Sequence, residues 1–213
     1  MKGQRVLVTG GAGFIGSNLA NHLAGENDVI AVDDLYLGTP DNLDDDVEFR
    51  DASVLDDDLP ADVDVLFHLA ALSSRPMHED DPARGARVNV EGFINTVEKV
   101  REHGCETVVY ASTSSIYGDQ TGPSHESMDV EARTGYEASK LARERYGEYY
   151  SNFHNMSMAG MRFFAVYEGF SGAEEHKGEF ANLITQFAHR VANGERPDIW
   201  GDGTQTRDFT HVD

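Results

Sequence analysis

The sequence predicts an α/β fold in which a parallel sheet is covered by helices on both faces. Short apolar segments alternate along the chain with longer segments of helical periodicity, as in repeated strand–helix–strand units. The apolar segment at 63–69 suits a strand that is buried on both faces. The chain of 213 residues is long enough for one sizeable core, and it contains no internal repeat and no flexible linker.

Each element is assigned from its local pattern. The first strand, 5–9, is a short apolar run, and the helix after it, 14–24, carries Ile15, Leu19 and Leu23 at helical spacing. Further strands are expected at 29–32, 47–49, 63–69, 107–111 and 157–164, and further helices at 82–103, 136–153 and 180–192. Residues 167–179 form an excursion away from the sheet. We therefore expect one domain built on the sheet at 1–166 and a smaller lobe at 167–213.

The composition excludes several functions. A formal net charge of −21 repels nucleic acids and anionic membranes, so neither is an expected partner. An acidic disordered chain is the alternative, but 39% hydrophobic residues arranged in strand-like blocks argue against it. The charge instead indicates a halophilic protein of a salt-rich cytoplasm, where ions screen self-repulsion. The single cysteine, Cys105, allows no internal disulfide, and no apolar run approaches membrane-spanning length, so we expect a cytoplasmic protein.

A glycine-rich turn follows the first strand. The segment TGGAGFIG at 9–16 contains two overlapping glycine patterns. Gly11, Gly13 and Gly16 fit G-x-G-x-x-G, and Gly10, Gly13 and Gly16 form a three-residue repeat. Between a strand and a helix, such a turn brings backbone N–H groups close to a pyrophosphate. Asp33 lies about 20 residues further on, where a carboxylate binds the adenosine ribose. No arginine adjoins it to accept a 2′-phosphate, so this Rossmann-type pattern favours NAD over NADP.

A tyrosine and a lysine four residues apart form the second motif. In GYEASK, Tyr136 and Lys140 lie on one face of the helix predicted at 136–153. A phenol is a poor base at neutral pH, but a neighbouring ammonium and a positively charged nicotinamide would lower its pKa. Thr113 follows a strand, at the edge of the sheet where ligands bind, and its hydroxyl is placed to hold a substrate oxygen.

Together the motifs resemble the extended short-chain dehydrogenases/reductases, within the NAD-dependent nucleotide-sugar epimerase/dehydratase family. The matching segments include TGGAGFIG, FHLAA, YASTSSIYG, GYEASK and GDGTQTRDFTHVD, and they occur in order along essentially the whole chain. The resemblance implies that 1–166 is an NAD-binding Rossmann domain and 167–213 a substrate-binding lobe. Family members continue beyond the last of these segments, so the resemblance implies that the lobe is only partly present in this chain. A naturally short form and a fragment are both open.

The resemblance also implies roles for individual residues. Tyr136 is the expected base, Thr113 shares the reacting sugar hydroxyl with it, and Lys140 holds the nicotinamide ribose. Arg207 is expected to bind the diphosphate of the substrate. The expected cofactor-binding residues are Gly10, Gly13, Phe14, Ile15, Gly16, Asp33, Asp34, Asp51, Ala52, Leu69, Ala70, Ala71, Asn89, Ser112, Tyr136, Lys140 and Phe164. Among these, Asn89 is expected to order the loop at 69–71, and Phe164 to touch the nicotinamide.

The residues after Thr113 bear on the reaction. Dehydratases and decarboxylases of the family carry a carboxylate there, whereas this chain has Ser114 and Ser115, which cannot serve as a carboxylate acid or base. The resemblance therefore implies a 4-epimerase of UDP-sugars, of the glucose/galactose type, that oxidises C4 and reduces it again. A dehydratase, decarboxylase or reductase of the same family remains an alternative, as does a truncated NAD-binding form without catalysis.

Two further expectations concern metals and assembly. The run of His78, Glu79, Asp80 and Asp81 resembles a metal-binding cluster, but a solvated loop before the next helix is the preferred interpretation, and no metal is expected. The helices at 82–103 and 136–153 are expected to pair across a two-fold axis, making a homodimer, as in the family. Simple covering of the sheet by these helices is the alternative.

Overall fold

A six-stranded parallel sheet forms the centre of the computed structural model, which describes residues 1–120, 122–168, 181–199 and 201–213. Its strands are β1 (Arg5–Thr9), β2 (Asp28–Asp33), β3 (Glu48–Asp51), β4 (Val65–His68), β5 (Thr107–Ala111) and β6 (Ser157–Met161). They lie in the order β3-β2-β1-β4-β5-β6, and every neighbouring pair is parallel. The strand order reverses direction between β1 and β4, and ligands of such sheets bind at this point. The predicted fold class is confirmed.

Alternate residues of β1 face two separate cores. Leu7 packs with Phe93 and Val108 on one face of the sheet, whereas Val6 and Val8 pack with Ala20 on the other. All of these side chains are fully buried. The sheet is thus covered on both faces, and β1 lies at its centre with the turn that follows it at the ligand-binding edge.

The helices differ in one region from the prediction. They are α1 (Phe14–Ala24), α2 (Arg75–Asp80), α3 (Pro82–Ala86), α4 (Gly92–Glu102), α5 (Gly135–His154) and α6 (Leu183–Ala192). The backbone is helical from Pro82 to Glu102, as predicted, but a π-helical turn at Arg87–Glu91 divides this segment into α3 and α4. The loop expected at 78–81 is mostly part of α2, which buries His78 to 3% exposure, whereas Glu79, Asp80 and Asp81 are exposed as expected.

Local signals define the ends of α5. The Thr134 hydroxyl caps its N-terminus by accepting a hydrogen bond from the Glu137 amide at 3.2 Å. The Glu137 carboxylate in turn accepts a hydrogen bond from the Arg133 amide at 2.7 Å. The amides of Arg133 and Glu137, at the start of the helix, therefore both have acceptors. Asn155 ends the helix in the left-handed conformation that asparagine tolerates.

A second, two-stranded sheet pairs β7 (Ala165–Tyr167) in parallel with β8 (Phe209–His211). The boundary predicted after residue 166 therefore falls inside β7. Most of the predicted excursion, and the expected helix start at 180, lie at 169–180, outside the described residues. No helix in the described part of the chain is long and apolar enough to cross a membrane.

Candidate active site

The turn between β1 and α1 packs backbone against backbone, which is why it consists of glycines. Gly10 has a φ of +69°, and a Cβ on it would lie 2.7 Å from the Ala70 amide nitrogen. A Cβ on Gly16 would lie 2.0 Å from the Gly10 carbonyl oxygen. Gly13 is the N-cap of α1, and no side chain caps the helix there. The positive end of the α1 dipole therefore faces the space above the turn, as anion binding requires.

Asp33 ends β2 and supports two loops through its carboxylate. Oδ2 accepts a hydrogen bond from the Ala12 amide at 3.2 Å, and Oδ1 accepts one from the Leu35 amide at 2.9 Å. The second bond holds Leu35 at a φ of 57°, which side-chain-bearing residues rarely adopt. Burial raises the pKa of Asp33 above its ordinary value, and the hydrogen bonds from these amides act against that rise. The carboxylate is thus fixed beside the glycine turn, as a contact to a ribose diol requires.

A cleft with an empty volume of about 840 Å³ lies at the carboxyl ends of the central strands. Its lining includes most residues that the sequence assigned to the cofactor: Gly10, Gly13, Phe14, Ile15, Gly16, Asp33, Asp34, Ala52, Leu69, Ala70 and Ala71. Sequence reasoning missed further members of the lining, namely Val32, Tyr36, Leu37, Gly38, Val54, Leu72, Ser73 and Val88. Most of these lie in loops that follow β2, β3 and β4. The predicted ends of these strands could therefore have indicated them as residues of the cleft.

The lining fits NAD. The glycine turn and the N-terminus of α1 would hold the pyrophosphate, and Asp33 would bind the adenosine ribose. Apolar side chains such as Val54 and Leu69 would enclose the base. Asp51 is exposed and pairs with Asp33 in the β2–β3 register, but it is not part of this lining, so its contact to adenine stays a prediction.

The helix α5 carries Tyr136 and Lys140 toward the end of β5. Lys140 is 2% exposed, and its Nζ donates a hydrogen bond to the Ala111 carbonyl at 3.0 Å and lies 5.8 Å from the centre of the Tyr136 ring. Thr113 follows β5, and a hydrogen bond between its side chain and Tyr136 acts to lower the Tyr136 pKa. The structure therefore brings together the three residues that the sequence grouped as catalytic.

Burial raises the pKa of Tyr136 above its ordinary value. The lowering expected from Lys140 together with a bound nicotinamide stays a prediction. The cation that acts to lower this pKa is Arg143, a residue that the sequence analysis did not single out. Burial, and then repulsion by Arg143, lower the pKa of Lys140 well below its ordinary value.

A short 3₁₀ turn at Ser114–Tyr117 follows Thr113. The Thr113 hydroxyl donates to the Ser115 hydroxyl at 3.2 Å and accepts from the Ser115 amide at 3.2 Å. Two carboxylates of α5 are near this region, but each already has a partner: Glu144 binds Arg162, and Glu137 binds Arg133. The serines after Thr113 thus form a turn of hydroxyls rather than an acidic group.

Asn89 lies inside the π-helical turn and is fully buried. Its Oδ1 accepts from the Leu72 amide at 2.8 Å, and its Nδ2 is 3.1 Å from the Leu72 carbonyl and 2.9 Å from the Ser139 hydroxyl. His78 also contacts the Leu72 carbonyl and packs edge-on against the Tyr136 ring. Asn89 therefore orders the loop after β4 from the side, and it does not line the cleft.

Ser112 hydrogen-bonds an ion pair, and Phe164 stacks on a second aromatic ring. Neither residue lines the cleft. The Ser112 hydroxyl donates to Glu144 at 2.5 Å, and Glu144 binds the Arg162 guanidinium through both oxygens at 2.9 and 2.8 Å. Phe164 stacks on Tyr117, with 6.3 Å between the ring centres. The proton of the Ser112 hydroxyl is therefore engaged away from the cofactor, and the nicotinamide contact of Phe164 stays a prediction.

Arg207 lies just before β8 and is exposed. Its Nη1 donates to the Thr206 carbonyl at 3.0 Å, and it is not part of the lining of the cleft. Its contact to a substrate diphosphate stays a prediction. The described residues contain no group of three or more histidine, cysteine or carboxylate side chains placed to hold a metal ion.

The fold and the site define a dinucleotide-binding α/β protein with a tyrosine–lysine pair near the end of β5; Tyr136, Lys140 and Thr113 are not part of the lining of the cleft. The model of the NAD dependent epimerase/dehydratase family matches residues 6–213. The chain belongs to this family, and the prediction of NAD as its cofactor is confirmed.

Relatives within the family differ in reaction. The chain is 36% identical to a UDP-glucose 4-epimerase of Mycolicibacterium smegmatis, a match that covers 98% of this chain and 70% of that protein. It is 31% identical to a UDP-N-acetyl-alpha-D-glucosaminuronate decarboxylase of Bacillus cytotoxicus, over 98% of this chain and 68% of that protein. Among solved structures, a UDP-N-acetylglucosamine 4-epimerase of Methanobrevibacter ruminantium superimposes with a TM-score of 0.92 at 29% identity, over 100% of this chain and 70% of that one.

Proposed function

We propose that the protein is an NAD-dependent nucleotide-sugar epimerase, most specifically a 4-epimerase of UDP-sugars of the glucose/galactose type. One observation carries the proposal: Tyr136 and Lys140 meet Thr113 at the end of β5, and hydroxyls rather than carboxylates follow Thr113. Such a site can move a proton on and off a sugar hydroxyl. It lacks the additional carboxylate that elimination or decarboxylation would use at this position.

In the proposed reaction, Tyr136 accepts the proton of the C4 hydroxyl while Thr113 hydrogen-bonds the same oxygen. Bound NAD supplies the acceptor, and later the donor, of the C4 hydride. The 4-keto sugar then presents its other face, and Tyr136 returns the proton to the oxygen. Lys140 and Arg143 provide the positive charge that a phenolate at Tyr136 needs inside a buried site. No net oxidation occurs, so the cofactor is not consumed.

The full-length protein tests the proposal when it is incubated with UDP-glucose or UDP-galactose and the products are separated by anion-exchange chromatography. We expect each sugar to yield its C4 epimer, without loss of water or carbon dioxide and without net NADH absorbance at 340 nm. Formation of a 4-keto-6-deoxy sugar would refute the interpretation of the hydroxyl turn.

The variant Tyr136→Phe isolates the role of the base. It removes the proton acceptor, so we expect turnover to fall by roughly 10²- to 10⁴-fold while NAD binding is retained. Tyr146→Phe is the matched control, because Tyr146 lies on the exposed side of the same helix. Turnover of Tyr136→Phe close to that of Tyr146→Phe would eliminate Tyr136 as the base.

A second candidate is decarboxylation of a UDP-linked uronic acid, which the identity to the Bacillus cytotoxicus decarboxylase favours. Incubation with UDP-glucuronic acid distinguishes the two reactions. Decarboxylation releases one carbon dioxide per sugar and yields a pentose, whereas epimerisation at C4 retains the carboxylate.

We also propose that two copies of the chain pair through α4 and α5, and that they act in a salt-rich cytoplasm. Two aromatic side chains of α5 support the first proposal, because Tyr149 and Phe153 are 42% and 77% exposed on its outer side. The net charge of −21 supports the second. Sedimentation at increasing salt concentrations measures both the assembly and its dependence on screening.

A further inference from the structure

A third residue of α5 shares the helix face of Tyr136 and Lys140. Arg143 follows Lys140 by three positions, and it is fully buried. Its Nε donates to the Asn89 carbonyl at 2.6 Å and its Nη2 to the Ala70 carbonyl at 2.7 Å. Its Nη1 donates a longer bond, 3.4 Å, to the Ala111 carbonyl. One planar guanidinium therefore binds three backbone oxygens.

The three oxygens belong to three separate segments. Ala70 lies in the loop after β4 that lines the cofactor cleft and packs against Gly10. Asn89 lies in the π-helical turn, and Ala111 ends β5, two residues before Thr113. Because the donors of a guanidinium have fixed relative positions, these segments are held at fixed distances from each other and from α5.

Within the described residues, no carboxylate contacts the Arg143 guanidinium, because its hydrogen bonds all go to carbonyl oxygens. Lys140, which is also buried, donates to the same Ala111 carbonyl. A buried cation without a counterion is costly, so two of them together are poor devices for stability alone. The bond from Arg143 to the Ala70 carbonyl of the cofactor loop instead indicates a role in the site.

We propose that Arg143 is a positioning residue of the active site: it ties the cofactor loop at Ala70 to the helix that carries Tyr136 and Lys140. The proposal requires only the NAD site and does not depend on which reaction the protein performs.

Two substitutions test this role. Arg143→Gln removes most of the hydrogen-bond donors, whereas Arg143→Lys keeps a cationic side chain that cannot span three carbonyls. Arg145→Gln is the matched control, because Arg145 lies on the same helix and forms an exposed ion pair with Glu148.

Calorimetric titration of each purified variant with NAD, in the absence of sugar, tests the positioning role. We expect both Arg143 variants to bind NAD at least about 10-fold more weakly than the wild type, as loss of a charge-assisted hydrogen bond implies. We expect Arg145→Gln to bind like the wild type. Wild-type affinity in Arg143→Lys would overturn the proposal, even if Arg143→Gln does not fold. Because no sugar is present, this result is independent of whether the protein is an epimerase.

Discussion

The close packing of the glycine turn predicts a large effect for a single methyl group at Gly16. A Cβ at this position would lie 2.0 Å from the carbonyl oxygen of Gly10 and 2.8 Å from its carbonyl carbon. Ordinary contact begins near 3.4 Å, so the oxygen would have to retreat by 1.4 Å. Gly10 has little room to do so, because even a Cβ on it would lie 2.7 Å from the Ala70 amide nitrogen. Gly16→Ala therefore distorts both the pyrophosphate site and its contact with the cofactor loop.

Overpacking of this kind costs about 1 to 3 kcal/mol, and the distortion acts on the bound state as well as on folding. We expect the free energy of unfolding to fall by that amount, measured by urea denaturation. We expect NAD to bind roughly 10- to 100-fold more weakly, measured by calorimetry.

Gly25→Ala is the matched control for Gly16→Ala. Gly25 ends the same helix at a φ of −60°, and a Cβ there would meet no atom within 4 Å. We expect its unfolding to change by less than about 1 kcal/mol and its NAD affinity to stay at the wild-type value. If Gly16→Ala bound NAD as tightly as Gly25→Ala, the turn would be more compliant than its geometry implies, and close packing at Gly16 would not be required for the pyrophosphate site.

Two further substitutions test the packing around α5. Burial acts to raise the pKa of Glu144, but hydrogen bonds from Arg162 and Ser112 lower it below the ordinary value of 4.5. The ionised Glu144 therefore stabilises the folded protein above pH 4.5, and this stabilisation is lost as the pH falls below that value. We therefore expect Glu144→Gln to lower the free energy of unfolding by roughly 3 kcal/mol at pH 7 and by less at pH 4; an equal loss at both values would contradict the ion pair. A Cβ on Gly147 would lie 2.4 Å from the Tyr110 hydroxyl oxygen, so we expect Gly147→Ala to lower the thermal midpoint and Tyr110→Phe to restore part of the loss in the double variant. Additive losses would show that Tyr110 is not the obstacle.

Several features of the site could be predicted because their signals are local. The glycine turn between β1 and α1 is read from glycines at fixed spacing, and the spacing of Tyr136 and Lys140 places them on one helix face. Asp33 follows from its position at the end of β2. Strand and helix bounds agree closely with the prediction where the apolar pattern is regular, as in β1, α1 and β5.

The π-helical turn inside the helix predicted at 82–103 is a feature that local patterns do not predict. Apolar periodicity continues through the π-helical turn, so the sequence pattern does not reveal it. The extra residue of the turn puts Asn89 against Leu72 and Ser139, which are 17 and 50 positions away. The burial of His78, likewise, depends on its contact with the Leu72 carbonyl.

The sequence by itself determined the order of the elements, the dinucleotide cradle and the tyrosine–lysine pair, because each depends on residues within a few positions of one another. Only the tertiary structure decided how the pair is held and charged. Arg143 binds carbonyls that are 32, 54 and 73 positions away in the chain. Ser112 donates to Glu144, 32 positions away. Hydrogen bonds between distant segments leave no periodic trace in a sequence, so they are defined only when the sheet brings the strand ends together.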